Sequence, residues 1–396
     1  MPSASWFRFL SADDWQNGGF GLYLHWPFCQ AKCPYCDFNS HVAAEIDQSR
    51  WKSAYLSEIH RVGKLTKGRV LNTVFFGGGT PSLMDPALVA AILEEIHKTW
   101  PTSNALEVTL EANPTSVEAG KFQGFRQAGV NRLSMGVQSL NDDDLRRLGR
   151  MHNVQEAIQA FDIAKKNFDR VSFDLIYARQ DQTVENWRAE LKEALSMAVD
   201  HLSMYQLTIE SGTAFGDRYA RGKLGGLPDD DSASEMYFVT QEECEKAGMP
   251  AYEVSNHAEI GSESRHNLIY WRYGDYAGIG PGAHGRLTMN GQRYATDTPL
   301  SPEKWLQRVE NHGSGDNPHT ALSISEQAVE FLLMGLRLAE GIDTNRFERL
   351  SGAPLDAEKL DSLLEIGMIS LENHRLRATS QGRAVLNAVL RELIPG

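Results

Sequence analysis

The chain has 396 residues and a formal net charge of −13, from 39 Lys and Arg against 52 Asp and Glu. This length allows a large core and predicts about two domains. The acidic balance argues against general nucleic-acid binding, because neutralising phosphates needs clustered cations. No apolar stretch approaches the roughly 18 residues needed to span a bilayer, and residues 1–19 lack the pattern of a secretory signal. We therefore expect a cytoplasmic protein, with peripheral contact at the inner membrane still compatible.

Short β-rich segments alternate with helical periodicity through the first half of the chain. The predicted strands are Phe20–Trp26, Thr73–Phe76, Leu106–Glu111, Arg132–Val137, Val171–Ile176 and His201–Ile209. The predicted helices are Ile46–Val62, Pro86–Thr99, Val117–Ala128, Asn141–Leu148, Val154–Lys166 and Val184–Ala198. This alternation predicts an α/β fold with a parallel sheet of fewer units than a closed barrel has. Site residues should then gather at the C-terminal ends of the strands.

The alternation breaks after the sixth strand. The elements expected next are a loop over Gly222–Asp231, a helix over Ser232–Ala247, a strand over Ala251–Ser255 and irregular structure over the glycine-rich Tyr273–Leu287. A small helical module follows, with predicted helices Glu326–Leu338 and Leu355–Ile366 and a hairpin around Ile369–Ala378. The predicted division is an N-terminal extension (1–19), a barrel segment (20–212), a further extension (213–314) and the helical module (315–396).

Three of the four cysteines lie close together in the spacing CxxxCxxC. They are Cys29, Cys33 and Cys36. Closed [4Fe–4S] clusters and structural zinc sites normally recruit four protein ligands, and Cys244 is too distant in sequence to be a local fourth. The missing ligand is therefore expected to be a small molecule. A zinc site completed by His25 or His41 is an alternative, whereas a disulfide framework and a ferredoxin-type carrier are disfavoured.

Glycines and polar side chains recur near the ends of the predicted strands. The second strand ends in Gly77–Pro81, whose backbone could approach a ligand closely because no Cβ intervenes, although a simple tight turn would use the same residues. Glu111 closes the third strand, Gln138 closes the fourth, Arg150 follows the next helix, and Asp174 lies in the fifth strand. Carboxylates can hold ribose hydroxyls, and an arginine can pair with a carboxylate. Their joint placement favours one common ligand pocket.

These motifs resemble the radical S-adenosylmethionine (SAM) superfamily, in which SAM occupies the open iron of a [4Fe–4S] cluster. More narrowly, they resemble the branch containing oxygen-independent coproporphyrinogen III oxidases and HemW-type heme chaperones. The resemblance implies a partial six-unit (β/α) TIM-like barrel with a small C-terminal helical, winged-helix-like domain. It implies that SAM contacts Tyr23, Tyr35, Gly78, Gly79, Thr80, Glu111, Gln138, Arg150 and Asp174. Tyr35 would pack on the adenine or cap the cluster.

Two features favour the chaperones over the oxidases within this branch. The oxidase motif has a further cysteine two positions after the third, where this chain has Phe38, and the oxidases have a longer segment before the cluster. The resemblance to the HNxxYW signature of the chaperones implies heme contact by His266, Asn267, Tyr270 and Trp271. An imidazole suits heme iron, and His257 and His284 are alternatives to His266. Gly278–Gly282 is a weak nucleotide signal, because its proline would interrupt a turn into a helix.

The resemblance thus implies a heme chaperone that binds a [4Fe–4S] cluster, SAM and heme, and delivers heme to respiratory b-type cytochromes. Its partners would be apo-cytochromes or other respiratory membrane proteins. The alternatives are a radical SAM coproporphyrinogen III oxidase and a radical SAM enzyme with an unrelated substrate, and the sequence leaves open whether SAM is cleaved. One departure from the family is Ala178–Asp181, which replaces a Gly-Leu-Pro turn and predicts a different loop near the ribose of SAM.

Overall fold

The computed structural model describes residues 13–43 and 45–394, so residues 1–12 of the predicted N-terminal extension lie outside the described part. The strands, numbered along the chain, are β1 (Phe20–Trp26), β2 (Phe28–Cys29), β3 (His41–Val42), β4 (Leu71–Gly78), β5 (Thr102–Ala112), β6 (Arg132–Gln138), β7 (Arg170–Tyr177), β8 (His201–Gln206), β9 (Asn256–Ala258), β10 (Asp275–Ile279), β11 (His284–Met289), β12 (Gln292–Asp297), β13 (Thr320–Ala321), β14 (Ile342–Asp343), β15 (Ile369–Glu372) and β16 (Arg375–Ala378).

Helices cover these strands. Those up to residue 246 are Gln48–Leu65, Pro86–Thr99, Ser116–Ala119, Phe122–Ala128, Asp142–Arg147, Val154–Asn167, Val184–Met197, Ala214–Ala220 and Asp230–Lys246. The later ones are Arg265–Trp271, Pro302–His312, Ile324–Gly335, Thr344–Ser351, Ala357–Glu365, Ser380–Ala384 and Leu386–Leu393. Two 3-10 turns lie at Asp14–Asn17 and Pro81–Leu83. No helix in the described ranges is both long and apolar enough to cross a bilayer.

The large sheet has eleven strands in the order β13-β12-β11-β10-β1-β4-β5-β6-β7-β8-β9. The six strands predicted first are β1 and β4 to β8, and each pairs in parallel with the next. Their inward side chains and the helices between them form one core, because each helix buries an apolar face against the sheet. The helix Val154–Asn167, for example, begins at a capping box between Asn153 and Glu156 and buries Phe161. The predicted α/β partial barrel is confirmed.

The prediction of irregular structure over Tyr273–Leu287 is wrong, because this stretch forms β10 and β11. β10 pairs in parallel with β1, and β11 pairs with β10 and β12. The glycines there serve both close packing and the turn between the two strands, where Gly280 and Gly282 have φ +113° and +80°. A Cβ on Gly278 would overlap the carbonyl oxygen of His284, and one on Gly280 would overlap that of His25. Gly278–Gly282 therefore has a packing role in the structure.

The strand predicted at Ala251–Ser255 is also wrong. The pairing with β8 is made by β9, three residues long, and the preceding segment only contributes an isolated bridge. The buried carboxylate of Glu253 explains the difference. It accepts hydrogen bonds from the N–H of Ser255 at 2.8 Å and from the side chain of Asn256 at 2.6 Å, which closes a local turn. The helix predicted at Val117–Ala128 is divided in two between residues 119 and 122.

The C-terminal module has its own apolar core and a small sheet in the order β14-β16-β15. The predicted hairpin is β15 paired with β16, which confirms the helical, winged-helix-like ending. Asp14, from the described part of the N-terminal extension, pairs with Arg346 of this module at 2.8 Å. The four-part division of the chain stays a prediction, although the large sheet takes strands from both the barrel segment and the further extension.

Candidate functional site

A cavity of about 620 Å³ lies at the C-terminal ends of β4 to β8. We call it the cysteine cavity, because Cys29, Cys33 and Cys36 all line it. Of the residues expected to contact SAM, those that line it are Tyr35, Gly78, Gly79, Thr80, Glu111, Gln138, Arg150 and Asp174. The fold therefore brings residues from six separate motifs to one place, because parallel strands end at the same edge of the sheet.

The three thiols of this cavity are half-buried and free. Burial raises the pKa of the Cys29 thiol, while a hydrogen bond from the Thr80 hydroxyl, 3.4 Å from the sulfur, acts in the opposite direction. A guanidinium nitrogen of Arg150 lies 3.4 Å from the sulfur of Cys33. The hydrogen bond from Thr80 favours the thiolate of Cys29, and the thiolate is the form that binds metal. Cys244 is buried in the main core and does not line this cavity.

The donor set fits a [4Fe–4S] cluster. Within the described residues, no three His, Cys, Asp or Glu side chains are grouped as ligands of a single metal ion. A cubane makes a different demand, since each thiolate binds its own iron, and three thiols on one loop facing one cavity meet it. Cys29, Cys33 and Cys36 would hold such a cluster.

The Gly-Gly-Thr segment at the end of β4 packs against the last residue of β1 and against β2 in the cysteine loop. The N–H of Gly79 donates to the carbonyl of Trp26 at 2.7 Å, and the N–H of Thr80 donates to that of Phe28 at 2.8 Å. Gly78 has φ +111°, which only glycine adopts readily, and a Cβ on Gly79 would lie 2.7 Å from the carbonyl oxygen of Phe28. The segment is thus a tight turn and also a wall of the cavity.

Two carboxylates face the cysteine cavity from β5 and β7. Burial, with the charge of Asp174 adding to it, raises the pKa of Glu111 to about 8, although the N–H of Gly78 donates to it at 3.2 Å. Burial raises the pKa of Asp174 to about 6, against hydrogen bonds from Ser203 and Ser134. Carboxylates with raised pKa values are typical of functional sites, and a cationic ligand would favour the ionised forms of both side chains.

Gln138 and Arg150 carry polar atoms that the described residues leave unsatisfied. Gln138 has φ +73°, a left-handed conformation that costs a non-glycine residue about 1–3 kcal/mol, and its buried Oε1 has no described partner. Arg150 donates through Nη2 to Asn113 Oδ1 at 2.6 Å and to the carbonyl of Gly136 at 2.8 Å, but its buried Nε has no described partner. A polar ligand in the cavity would satisfy such atoms.

Two further residues of this cavity were missed at the level of the sequence. Asn113 donates to Thr80 Oγ1 at 3.2 Å and accepts from Arg150, so it links two strand ends. It lies two positions after a predicted site residue at the same strand end, which was a usable signal. Arg337 reaches the cavity from the C-terminal module and pairs with Glu253 at 3.1 Å. No local pattern in the sequence marks it.

The loop after β7, where the chain departs from the family, turns away from the cysteine cavity and does not line it. Ala178 and Asp181 both have positive φ, at 56° and 58°. Between them Arg179 is buried and pairs with Asp144 at 2.9 Å and Glu190 at 2.5 Å. The replacement of a Gly-Leu-Pro turn is therefore compensated by a buried ion-pair network.

A second cavity, of about 690 Å³, lies over β1, β10 and β11 and has a volume typical of small-molecule pockets. We call it the aromatic cavity after Tyr23, Tyr270, Trp271, Tyr273 and Tyr276, which line it. The histidines along its wall are His25, His41 and His284. Tyr23, expected to contact SAM, thus lies along this cavity instead of the cysteine cavity, and its contact with SAM stays a prediction.

The HNxxYW segment forms the helix Arg265–Trp271. Two of its four predicted heme contacts, Tyr270 and Trp271, line the aromatic cavity. The other two, His266 and Asn267, do not line it. Both ring nitrogens of the buried His266 are bonded, one to Thr73 Oγ1 and one to the Tyr270 hydroxyl, each at 2.6 Å. Burial lowers its pKa to about 3. Ligation of heme iron by His266 would first have to break one of these hydrogen bonds.

The two cavities adjoin along a shared wall. The residues that line both are Asp37, Phe38, Ser40, Gly78 and Glu111. Phe38, which stands where the oxidase motif has a further cysteine, is 61% exposed in this wall. A ligand in either cavity would therefore lie beside the same aromatic ring.

Comparison with known proteins identifies the family. The radical SAM superfamily model matches residues 23–194, and the HemN C-terminal domain model matches residues 322–385. The heme chaperone HemW of Haemophilus influenzae is 36% identical and that of Escherichia coli 35%, each alignment covering 93% of this chain and 96% of the relative. The chain belongs to the HemW family of radical SAM proteins. Another relative, the mitochondrial radical S-adenosyl methionine domain-containing protein 1 of Danio rerio, is 39% identical over 93% of this chain and 85% of its own length.

A solved structure has the same fold. The coproporphyrinogen III oxidase HemN of Escherichia coli, described as a radical SAM enzyme, superimposes with a TM-score of 0.80 over 100% of this chain and 94% of that one. Its sequence is 20% identical, so the likeness concerns the fold alone. The predicted family and the predicted α/β radical SAM fold are therefore confirmed.

Proposed function

We propose that this chain is a heme chaperone that holds a [4Fe–4S] cluster and SAM in the cysteine cavity, binds heme in the aromatic cavity and delivers it to respiratory b-type cytochromes. Membership of the radical SAM superfamily implies the cluster and SAM. The bacterial relatives are named heme chaperones, which supports heme as the cargo. The observation that carries the proposal is the pair of adjoining cavities, one with thiols and carboxylates and one with aromatic rings and imidazoles.

The cysteine cavity would take a cationic nucleoside next to the cluster. A [4Fe–4S] cluster there would supply one iron open to the amine and carboxylate of SAM, together with a one-electron donor. Glu111 and Asp174 offer carboxylates for the ribose hydroxyls and the positive charge, and Arg150 offers a guanidinium beside the sulfur of Cys33. Tyr35 is held at the same cavity by the apolar cluster around Phe215.

The aromatic cavity would take the flat, largely apolar macrocycle of heme. Burial of the ring against tyrosine and tryptophan faces would supply much of the affinity. Phe38 adds a further apolar ring to the shared wall instead of a thiol. Delivery would follow when the loaded chaperone, itself cytoplasmic, docks on an apo-cytochrome at the inner membrane.

A paired assay tests this function. Anoxically reconstituted protein is titrated with heme, and the same sample is incubated with reductant, SAM and coproporphyrinogen III. We expect a saturable, stoichiometric Soret band and no protoporphyrinogen. The absence of the Soret band would defeat the chaperone function, and turnover to protoporphyrinogen would establish the oxidase instead.

A matched pair of variants locates the heme. Tyr276→Leu removes an aromatic ring from the cavity, whereas Tyr219→Leu changes an exposed tyrosine that lines neither cavity. We expect weaker heme binding only for Tyr276→Leu. Transfer is measured by mixing heme-loaded protein with vesicles that carry an apo-b-type cytochrome and following the cytochrome absorbance.

A further inference from the structure

The aromatic cavity contains one imidazole with no bonding partner. The side chain of His284 is exposed at the start of β11 and makes no hydrogen bond or ion pair with any described residue. His25 has both ring nitrogens bonded, to the Tyr23 hydroxyl and to the carbonyl of Asn39, each at 2.9 Å. His41 has Nε2 3.2 Å from the side-chain oxygen of Asn39. A lone pair for a metal is therefore most accessible at His284.

The two other histidines considered as heme ligands lie outside this cavity and are poorly placed for a large ligand. His266 is 1% exposed and uses both nitrogens within the fold. His257 is likewise 1% exposed, and it lies in β9 at the far edge of the large sheet. Neither lines the aromatic cavity. The role left for His266 is to hold the Tyr270 hydroxyl in position at the cavity wall.

The backbone of His284 is held firmly. It pairs with Asp297 across β11 and β12, and it packs so closely on Gly278 that any side chain there would overlap its carbonyl. In the turn before it, the N–H of Ala283 donates to Thr298 Oγ1 at 3.0 Å, and that hydroxyl donates to the carbonyl of Gly280 at 2.6 Å. A ligand on such a rigid turn is already oriented when the metal arrives.

Other groups around the cavity suit a porphyrin with two carboxylates. Lys32 is exposed on the cavity wall, and Arg286 lies there paired with Glu330 at 2.7 Å. The indole N–H of Trp271 is buried with no acceptor among the described residues. A ligand carboxylate could accept from these donors while the ring lies against the tyrosines.

We propose that His284 provides the axial ligand to heme iron in the aromatic cavity, and that His266 is a positioning residue for Tyr270. This inference rests on the proposed heme-binding function and assigns its metal ligand. Heme iron is the cargo, and the neutral imidazole donates its lone pair without any change in oxidation state.

The test uses full-length, cluster-loaded protein titrated with ferric heme. The variants are His284→Ala, the second cavity histidine His41→Ala and, as a matched control, His312→Ala, which changes an exposed histidine that lines neither cavity. Affinity is read from the Soret titration, and the iron ligands are read from electron paramagnetic resonance and resonance Raman spectra. We expect His284→Ala to lose the histidine signature and at least about tenfold in affinity, since even supporting groups at metal sites contribute that much. Added imidazole should restore the signature, His41→Ala should keep it, and the control His312→Ala should match the wild type in both spectrum and affinity.

The possible failures are distinguishable. If wild-type protein binds heme and His284→Ala keeps its spectrum and affinity, the assignment of His284 is overturned while the chaperone function stands. Loss of the histidine signature in His41→Ala alone would overturn it as well. If wild-type protein binds no heme, the proposed function fails and this inference fails with it. Binding of SAM by His284→Ala should equal that of the wild type, which shows that the variant is folded.

Discussion

The cysteine cavity and the aromatic cavity share a wall but are built differently. The cysteine cavity takes its polar groups from the ends of β4 to β7 and from the loop after β1, which come one after another in the chain. The aromatic cavity takes its groups from β1, β10, β11 and two helices near residues 270 and 330. The residues of the cysteine cavity can therefore be recognised in the sequence as a series of motifs. The aromatic cavity exists only after the extension has folded onto β1.

The two cavities also differ in their electrostatics. The cysteine cavity holds carboxylates with raised pKa values, a strained Gln138 and buried polar atoms without described partners. In the aromatic cavity most polar side chains are already bonded, as Arg286 is to Glu330 and His25 is to Tyr23. This difference supports the proposed charged ligand in the cysteine cavity and the proposed flat apolar ligand in the aromatic cavity.

The largest expected effect is loss of the cluster from the cysteine cavity with no change in heme binding by the aromatic cavity. Cys33→Ala removes one of three thiols, so we expect reconstituted protein to lose its iron and sulfide while the heme titration stays unchanged. Iron and sulfide analysis and the Soret titration measure the two outcomes. Cys244→Ala is the control, because that thiol lies in the main core, and it should keep its iron. Loss of heme binding in Cys33→Ala would show that the cavities are not independent.

The next largest effect is expected on the affinity for SAM in the cysteine cavity. Asp174→Asn removes a carboxylate that lines the cysteine cavity, and we expect SAM affinity to fall about ten- to hundredfold, the scale of a charged hydrogen bond. Titration calorimetry measures it. Asp181→Asn, on the exposed loop after β7, is the matched control. Equal losses in the two variants would contradict a ribose or charge contact by Asp174.

A smaller effect is expected on the pH dependence of the free energy of unfolding. The pKa of Glu111 is about 8 in the folded chain, above its ordinary value of 4.5, so the folded chain binds more protons than the unfolded chain between these values. Stability is then lost as pH rises through this window. We expect Glu111→Gln to raise the free energy of unfolding at pH 8 by on the order of 1–3 kcal/mol and to have little effect near pH 4. Urea unfolding at both pH values decides it, and a pH-independent gain would refute the cause.

The smallest expected effect is on the free energy of unfolding, through the hydrogen bond with His266 that holds Tyr270 at the wall of the aromatic cavity. Tyr270→Phe leaves Nε2 of the buried His266 without its partner, so we expect a loss of about 1 kcal/mol in the free energy of unfolding. Tyr276→Phe is the control, since that hydroxyl makes no hydrogen bond with a described residue. Denaturant unfolding measures both. Equal stabilities would show that the bond between His266 and Tyr270 contributes nothing.

Features of this chain could be predicted from the sequence where the residues that form them lie close together, and could not where those residues lie far apart. The strand Phe20–Trp26 and the cysteine loop were predicted because their patterns are local. The state of His266 could not be predicted, because Thr73, its partner, lies 193 residues earlier in the chain. β10 was missed because glycines usually mark turns, whereas here Gly278 is required where two backbones approach closely. Long-range contacts decided the two features that the sequence did not predict, the state of His266 and the strand β10.

The parallel pairing of β10 with β1 has a consequence for any truncated form of the chain that ends after the barrel segment. Asp275 at the start of β10 is fully buried between Arg69 and Arg293, at 2.7 and 3.1 Å. A chain truncated at residue 212 would leave Arg69 without this carboxylate and β1 with one unpaired edge, which is a site for aggregation. The extension thus completes the sheet beside β1, and we expect the barrel segment alone to be less stable than the full chain.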